Sequence, residues 1–352
     1  MASSSVTTDL HGSENKTASS KTTWRQKCLS DEVNYSDYPI SRKAFKVKAC
    51  VDWLTIAIRT SRPTQFRHLQ AEFEKVGCGK LHVEPMAEGA GGVAEAFMVT
   101  FHDDLANDVA AQKAKLGEVA KSYPMIGEPS IAAIEIACDF RHKGPAALHI
   151  RDTLAMTYRL QASLFAKDAT KPRQFDPALG EKGANRFMDV EGARLDPGLN
   201  FRIGNRWDSL SWQVYFKWTD KKRNDDVVYL PQSKWRARVE VTMRGDALQD
   251  YGLLTLSDLE SYSFNRLTPL FRFRRPIDPA TQAAGDPYKL MAIVANRRIN
   301  DATCERGMHS FNSLGRRDYR WRNGLREESR HIEPDDELQA AVKGALRRLS
   351  VG

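Results

Sequence analysis

Apolar positions gain a regular rhythm at Phe45, and from Val47 to Ile58 the run VKACVDWLTIAI, dense in β-branched and aromatic residues, predicts a strand. From Pro63 to Val76 the period lengthens. Phe66, Leu69, Phe73 and Val76 fall at helical spacing, with Ser61 and Thr64 as cap candidates. The switch then repeats: Val93 to Phe101 alternates as a strand and Asp103 to Ser122 reads as a helix ending before Pro124. Ile131 to Phe140 is the next strand, and His149 to Phe165 the next helix. Pro172 to Pro197 is polar and carries Gly180, Gly183 and Gly192, the pattern of a long loop. Three strand signals follow in close succession, Asn200 to Asn205, Ser211 to Trp218 and Lys234 to Met243, as in a meander. Asp246 to Asp250 and Ser257 to Leu267 look helical, and Asp335 to Leu349 is amphipathic, with acids at its start and arginines near its end as the helix dipole favours. This order predicts an α+β fold, a mostly antiparallel sheet with helices on one face. There is no internal repeat.

Residues 1–44 lack this rhythm and are rich in Ser, Thr and Lys, so burial cannot offset the entropy of ordering them and a disordered leader is expected. Composition shifts again after Asn265. From there to Arg330, 14 Lys+Arg stand against 7 Asp+Glu, an excess of seven that nearly accounts for the net +8 of all 352 residues. Residues 266–352 are therefore expected to form a basic, mainly helical region. Arg interleaves with aromatics in LFRFRR (Leu270 to Arg275) and RRDYRWRNGLR (Arg316 to Arg326), a mixture suited to phosphate contact combined with base stacking. A solvated basic subdomain packed on the core explains it as well. Helical character around Lys289 to Ile299 would allow a helix-turn-helix-like module. No run approaches the roughly 18 apolar residues of a membrane span and no apolar block opens the chain, so a soluble, cytoplasmic protein is expected. Five scattered cysteines without a CxxC pair support neither a disulfide framework nor a thiolate zinc site.

Strand alternation sorts side chains onto two faces. In Ile131 to Phe140, Ile134, Ile136, Cys138 and Phe140 share one face, which leaves Glu135 and Asp139 together on the other. Gln213, Tyr215 and Lys217 oppose Trp212, Val214, Phe216 and Trp218, and Arg236, Arg238, Glu240 and Thr242 oppose Trp235, Ala237, Val239, Val241 and Met243. The first strand adds Asp52 on the face of Leu54 and Ile56. A sheet with one wet face would gather Glu135, Asp139, Tyr215, Lys217, Arg238 and Glu240 on a common polar surface. Glu135, Asp139 and Glu240 are hard oxygen ligands suited to Mg²⁺ or Mn²⁺, which can neutralise a phosphodiester and polarise its phosphorus. Tyr215 could attack that phosphorus and form a covalent intermediate, with Lys217 two residues along to favour the phenolate. A solvated sheet face of mixed charge gives the same alternation, because strand order cannot be read from it.

These blocks resemble the replication initiation factor family of rolling-circle plasmids and phages, whose members nick one DNA strand through a tyrosine. VDWL (Val51 to Leu54) resembles the family's opening strand and AIEIACDF (Ala133 to Phe140) its acidic strand. FRIGNR (Phe201 to Arg206) and VYFKW (Val214 to Trp218) are similar to its IGSR-like strand and the Tyr-x-Lys strand that follows. WRARVEVTMRGDAL (Trp235 to Leu248) resembles the strand that completes the site. The blocks come in the family's order across residues 45–265. The resemblance implies a nicking domain over that range, with Tyr215 as nucleophile, Glu135, Asp139 and Glu240 as the metal-side acids, and Lys217 and Arg238 supporting the phosphate. It also implies DNA as substrate, single-stranded at the nick, with a host helicase and polymerase as partners; residues 266–352 lie outside the match, and DNA contact there is expected from their basic, aromatic composition alone. Two departures stand out: Phe216 follows the tyrosine where a small or polar residue is usual, and Glu135 stands where Asp is commoner.

Other sites are weaker. The eight histidines include no His-x-His or HExxH, and His142 with His149 is the only close couple. Tyr229 is a second tyrosine to consider as nucleophile, but VVYLP in a charged hairpin reads as packing. GAGG (Gly89 to Gly92) lacks the following Lys-Ser and the GxGxxG spacing, so it reads as a flexible turn, and without a Walker A motif the chain is not itself a helicase. Two rival functions remain, a non-catalytic DNA-binding regulator and a metal nuclease that activates water.

Overall fold

The computed structural model describes residues 39–352 except 80, 88, 90–91, 145–148, 167–170, 172, 177–187, 190–195, 222–226 and 277–331. The expectations for the leader through residue 38, for the middle of the GAGG turn, and for the stretches Lys289 to Ile299 and Arg316 to Arg326 lie outside the described residues.

In chain order the elements are β1 (Phe45–Gln65), α1 (Phe66–Lys75), β2 (Leu81–Pro85), β3 (Val93–His102), α2 (Asp103–Ala106), α3 (Val109–Ser122), β4 (Ser130–His142) and α4 (Ile150–Ser163). There follow β5 (Arg173–Asp176), β6 (Met188–Asp189), β7 (Asn200–Ile203), β8 (Leu210–Lys217), β9 (Thr219–Lys221), β10 (Val227–Tyr229) and β11 (Arg236–Arg244). The chain closes with α5 (Asp246–Tyr251), α6 (Leu256–Glu260), β12 (Arg274–Pro276), β13 (Ile332–Pro334) and α7 (Asp336–Arg347). Nine of the strands form one sheet in the order β2-β3-β1-β4-β11-β8-β7-β5-β6, paired antiparallel throughout. The expected α+β architecture is therefore present.

Register sorts the two faces. Val47 lies opposite Phe140, Val51 opposite Ile136, and Val239 opposite both Cys138 and Val214, so apolar side chains from four strands line one side. The helices cover that side. Phe73 of α1 meets Phe101 of β3 edge-on at 6.4 Å, and Leu154 of α4 packs with Phe216 of β8. Leu338, Val342 and Leu346 of α7 join the same core as Phe45 and Val47. At the start of α7, Asp335 is buried. It caps the Leu338 amide at 3.1 Å and receives Arg159 of α4 at 2.8 Å, so the last helix is tied to the sheet domain by both charge and burial.

Several elements depart from the sequence expectations, among them β2, which lies where no strand is expected, and α6, which ends at Glu260 where a helix to Leu267 is expected. The helix expected over Asp103 to Ser122 breaks at Asn107, whose amide accepts from the Val51 N–H at 2.8 Å and donates to the Val51 carbonyl at 2.7 Å. Asp108 restarts the helix by accepting from the Ala111 amide at 2.8 Å. Within the expected loop from Pro172 to Pro197, β5 and β6 extend the sheet; such short edge strands carry too few residues for alternation to register. A β9–β10 hairpin interrupts the meander before β11. Cys50, Cys78 and Cys138 are free thiols. Among the described residues, no helix is long and apolar enough to cross a membrane.

Candidate active site

Four adjacent strands at the middle of the sheet, β1, β4, β11 and β8, carry the polar face. Their registers set Arg238 between Asp139 on β4 and Tyr215 on β8, and place Thr242 opposite Glu135 and Arg236 opposite Lys217. Arg238 is the hub, with a side chain only 2% exposed. Its Nε and Nη2 donate to the two Asp139 oxygens at 2.6 and 3.1 Å, and its Nη1 donates to Asp52 Oδ1 at 2.5 Å and Glu240 Oε1 at 3.2 Å. The planar fork of a guanidinium suits this arrangement, which an ammonium could not reproduce. Arg236 Nε lies 2.8 Å from Asp139 Oδ2. The Tyr215 hydroxyl donates to Glu240 Oε1 at 2.6 Å, and the Thr242 hydroxyl to Glu135 Oε2 at 2.6 Å.

Asp52 reaches this face through a β-bulge. Along β1 the pairing with β4 runs Cys50 to Ala137 and Val51 to Ile136, then jumps to Trp53 opposite Glu135, so Asp52 is the extra residue. Its carboxyl consequently joins the polar side with Glu135 instead of sharing a face with Leu54 and Ile56, as uninterrupted alternation would require. Asn107 holds the backbone at Val51, immediately before the bulge. One oxygen each from Asp52, Glu135 and Glu240 can be chosen so that all three lie within 4.8 Å of one another. Asp52 is 27% exposed and Lys217 11%, so the cluster opens to solvent on their side; Lys217 Nζ stands 3.9 Å from both Asp52 and Asp220.

Charge balance divides these acids into two kinds. Burial alone would raise the Asp139 carboxyl, but Arg238, Arg236 and Arg141 outweigh it and hold the group at about 2. Asp52 is likewise lowered, burial being overcome by Arg238 and Lys217. Glu135 is pushed up to about 8 by burial and by the facing charges of Glu240 and Asp52. Glu240 is raised for the same reasons, burial first and then Asp52. The Tyr215 phenol is raised as well, by burial and the Glu240 charge, with Arg238 opposing the rise. The trio therefore carries more carboxylate than its cationic neighbours compensate. A set of hard oxygen donors in that state fits a divalent cation of the Mg²⁺ or Mn²⁺ type.

The structure thus brings Glu135, Asp139, Tyr215, Lys217, Arg238 and Glu240 onto one face but groups them differently from the expectation. Glu135 and Glu240 meet Asp52, whereas Asp139 is engaged by arginines because the β4–β11 register sets it directly opposite Arg238. Arg238 has its donors on three carboxylates and almost no exposed surface, so it organises the acids instead of presenting itself at the mouth. Lys217 faces Asp52 and Asp220. Arg236 and Thr242, which alternation had set on this face without a role, each hold one acid. Elsewhere, Tyr229 packs against Trp218 at 5.3 Å. His142 and His149 stack at 3.7 Å with Asp152 at 3.3 Å from each, but His142 Nδ1 accepts from the Gly144 amide, which places the proton of a neutral ring on the nitrogen facing Asp152.

No family model matches the chain, and none of the curated proteins matches it. Among solved structures it is similar to a rolling circle replication initiator protein from Geobacillus stearothermophilus, at 14% identity and a TM-score of 0.33, over 87% of this chain and 98% of that one.

Proposed function

We propose that this chain initiates replication by nicking and rejoining one DNA strand at an origin, with Tyr215 as the nucleophile. The observation that carries the reading is the 2.6 Å hydrogen bond from the Tyr215 hydroxyl to Glu240, a member of the acidic trio on the neighbouring strand. It supports the reading because it joins the proposed nucleophile to a proton acceptor that belongs to the proposed cation-binding trio. The ordered sequence blocks described above supply the substrate class.

Asp52, Glu135 and Glu240 would hold a divalent cation, which when bound neutralises the phosphodiester and polarises its phosphorus. Glu240 accepts the phenolic proton across the hydrogen bond that joins the two side chains. The Tyr215 oxygen forms a bond to phosphorus, and the bond from phosphorus to the 3′ oxygen breaks, that oxygen taking the electron pair and then a proton. The products are a 5′-phosphotyrosyl enzyme and a free 3′-hydroxyl that can prime a host polymerase; attack by a 3′-hydroxyl on the phosphotyrosine reverses the step and rejoins the strand. Arg238 keeps Glu240 and Asp52 in register, and Asp139, neutralised by Arg238, Arg236 and Arg141, keeps Arg238 in place. Strand separation falls to a host helicase.

Incubation with supercoiled origin DNA and Mg²⁺ tests the reading. Nicked circles that carry covalently attached protein support it. Intact DNA would favour a regulator, and nicked DNA with a free 5′-phosphate a nuclease that activates water.

A further inference from the structure

Trp207 is 77% exposed, the most open of the large hydrophobic side chains among the described residues. It does not hang from a loose loop. The turn between β7 and β8 is built around Gly204, which sits at φ 85° and where a Cβ would come within 3.0 Å of Asp208 Oδ2. That same oxygen accepts from the Asn205 amide at 3.0 Å and from Lys171 at 3.1 Å. On the other side, the Arg244 amide donates to the Ser209 carbonyl at 2.8 Å and its Nη1 to the Arg206 carbonyl at 3.1 Å. A tryptophan held outward by so many fixed contacts forgoes burial that folding alone would reward.

Its neighbours are cations and a second tryptophan. The Arg206 guanidinium lies 5.4 Å from the Trp207 ring centroid and that of Arg244 5.7 Å, while Arg244 also lies 5.2 Å over Trp53. Trp53, Arg244, Trp207 and Arg206 therefore form a ladder that leads from the floor of the sheet to solvent. The lower rung adjoins the acidic trio: Trp53 follows the bulged Asp52 and pairs with Glu135, and Arg244 lies two residues beyond Thr242, the residue that holds Glu135. Arg202 of β7, two strands over, adds another positive group near Arg244.

We infer that this ladder is a base-stacking platform for single-stranded DNA, on which Trp207 takes the face of an unpaired base next to the scissile phosphate while Arg206 and Arg244 meet the backbone. The chemistry favours a single strand over a duplex. A flat indole surrounded by guanidinium groups offers stacking to any base but no donor–acceptor pattern for reading a groove, and only an unpaired strand has base faces to give. The inference rests on the proposed function in naming the strand as DNA and its nearby phosphate as the scissile one.

The test uses the full-length chain carrying Tyr215→Phe, so that binding is read without cleavage. Fluorescence anisotropy would measure affinity for a labelled single-stranded DNA oligonucleotide, the same oligonucleotide with abasic positions, the matching duplex and the matching RNA. Trp207→Ala should weaken binding to the single strand roughly 10-fold, the scale of one base lost from an aromatic platform. Duplex affinity should change less than 2-fold, and the abasic strand should bind both proteins alike. Trp207→Phe, which keeps an aromatic face, should recover most of the loss. Because Trp207 is exposed, the variants should fold, and circular dichroism checks this. Unchanged single-strand affinity, or an equal loss on duplex and single strand, would overturn the inference, as would RNA bound more tightly than DNA with the larger dependence on Trp207. A wild-type protein that never forms a DNA adduct, yet loses single-strand affinity on Trp207→Ala, would refute the nicking reaction and leave the platform standing.

Discussion

Removing Arg238 separates two roles that the residue could have. If it only contacts phosphate, its loss should weaken DNA binding and leave the fold untouched. The structure instead gives it four charge-assisted hydrogen bonds to three carboxylates in a nearly solvent-free setting. Arg238→Met keeps most of the volume, so no large cavity confuses the measurement, but it leaves Asp52, Asp139 and Glu240 without their shared cation. Taking one partner from a buried ion pair costs about 3–5 kcal/mol, because the remaining charge is left uncompensated. Arg236 still neutralises part of Asp139 at 2.8 Å, so the lower half of that range is expected at pH 7. Urea unfolding followed by tryptophan fluorescence measures the loss directly. A Met variant within about 1 kcal/mol of the wild type at pH 7 would refute the hub, since surface-like ion pairs contribute no more than that.

Other consequences can be checked separately. Mn²⁺ titration by calorimetry should show Asp52→Asn and Glu135→Gln binding the ion at least 10-fold more weakly, and Asp139→Asn within about 3-fold of wild type; the reverse pattern would restore Asp139 as a ligand. Asp139, held at about 2 against an ordinary aspartate near 3.9, contributes about 2 kcal/mol of stability. Because the folded value lies below the unfolded one, that contribution is complete above roughly pH 4 and fades as the pH falls through about 2, so the deficit of Asp139→Asn in urea melts should shrink over that window, and a constant deficit would contradict the pairing. Pro276 pairs with Ile332, so a short Gly-Ser link can replace residues 277–331 while keeping α7 on its core. That deletion should preserve the melting transition and make the dependence of log K on log salt shallower for origin DNA, whereas an unchanged slope would remove the deleted arginines from the phosphate contacts.

The polar face was legible because a strand has a period of two, so Glu135, Tyr215, Arg238 and Glu240 fall on one side whatever the strand order. What alternation cannot carry is an inserted residue. The bulge at Asp52 reverses the side on which that acid emerges, and nothing in VDWL distinguishes it from a regular strand; the Asn107 amide that braces it comes from the middle of a segment that reads as one helix. The expectation that Asp139 holds the ion has a related origin. Two acids four residues apart share a face, but which arginine lies opposite each depends on the β4–β11 register, a fact of pairing that does not reside in either strand alone. The amphipathic pattern of Asp335 to Leu349 predicts the last helix within two residues at each end, but neither its seat beside Phe45 and Val47 of β1 nor the Asp335–Arg159 pair that ties it to α4.

The proposed reaction turns on a covalent bond from Tyr215 to DNA. A single-stranded origin oligonucleotide labelled at its 3′ end, incubated with the protein and Mg²⁺, denatured and digested with trypsin, allows that bond to be located by mass spectrometry. The label is expected on the peptide containing Tyr215 and absent with Tyr215→Phe, although that variant still folds and binds DNA. An adduct on another residue, or cleavage by the Phe variant at the wild-type rate, would contradict the proposed reaction.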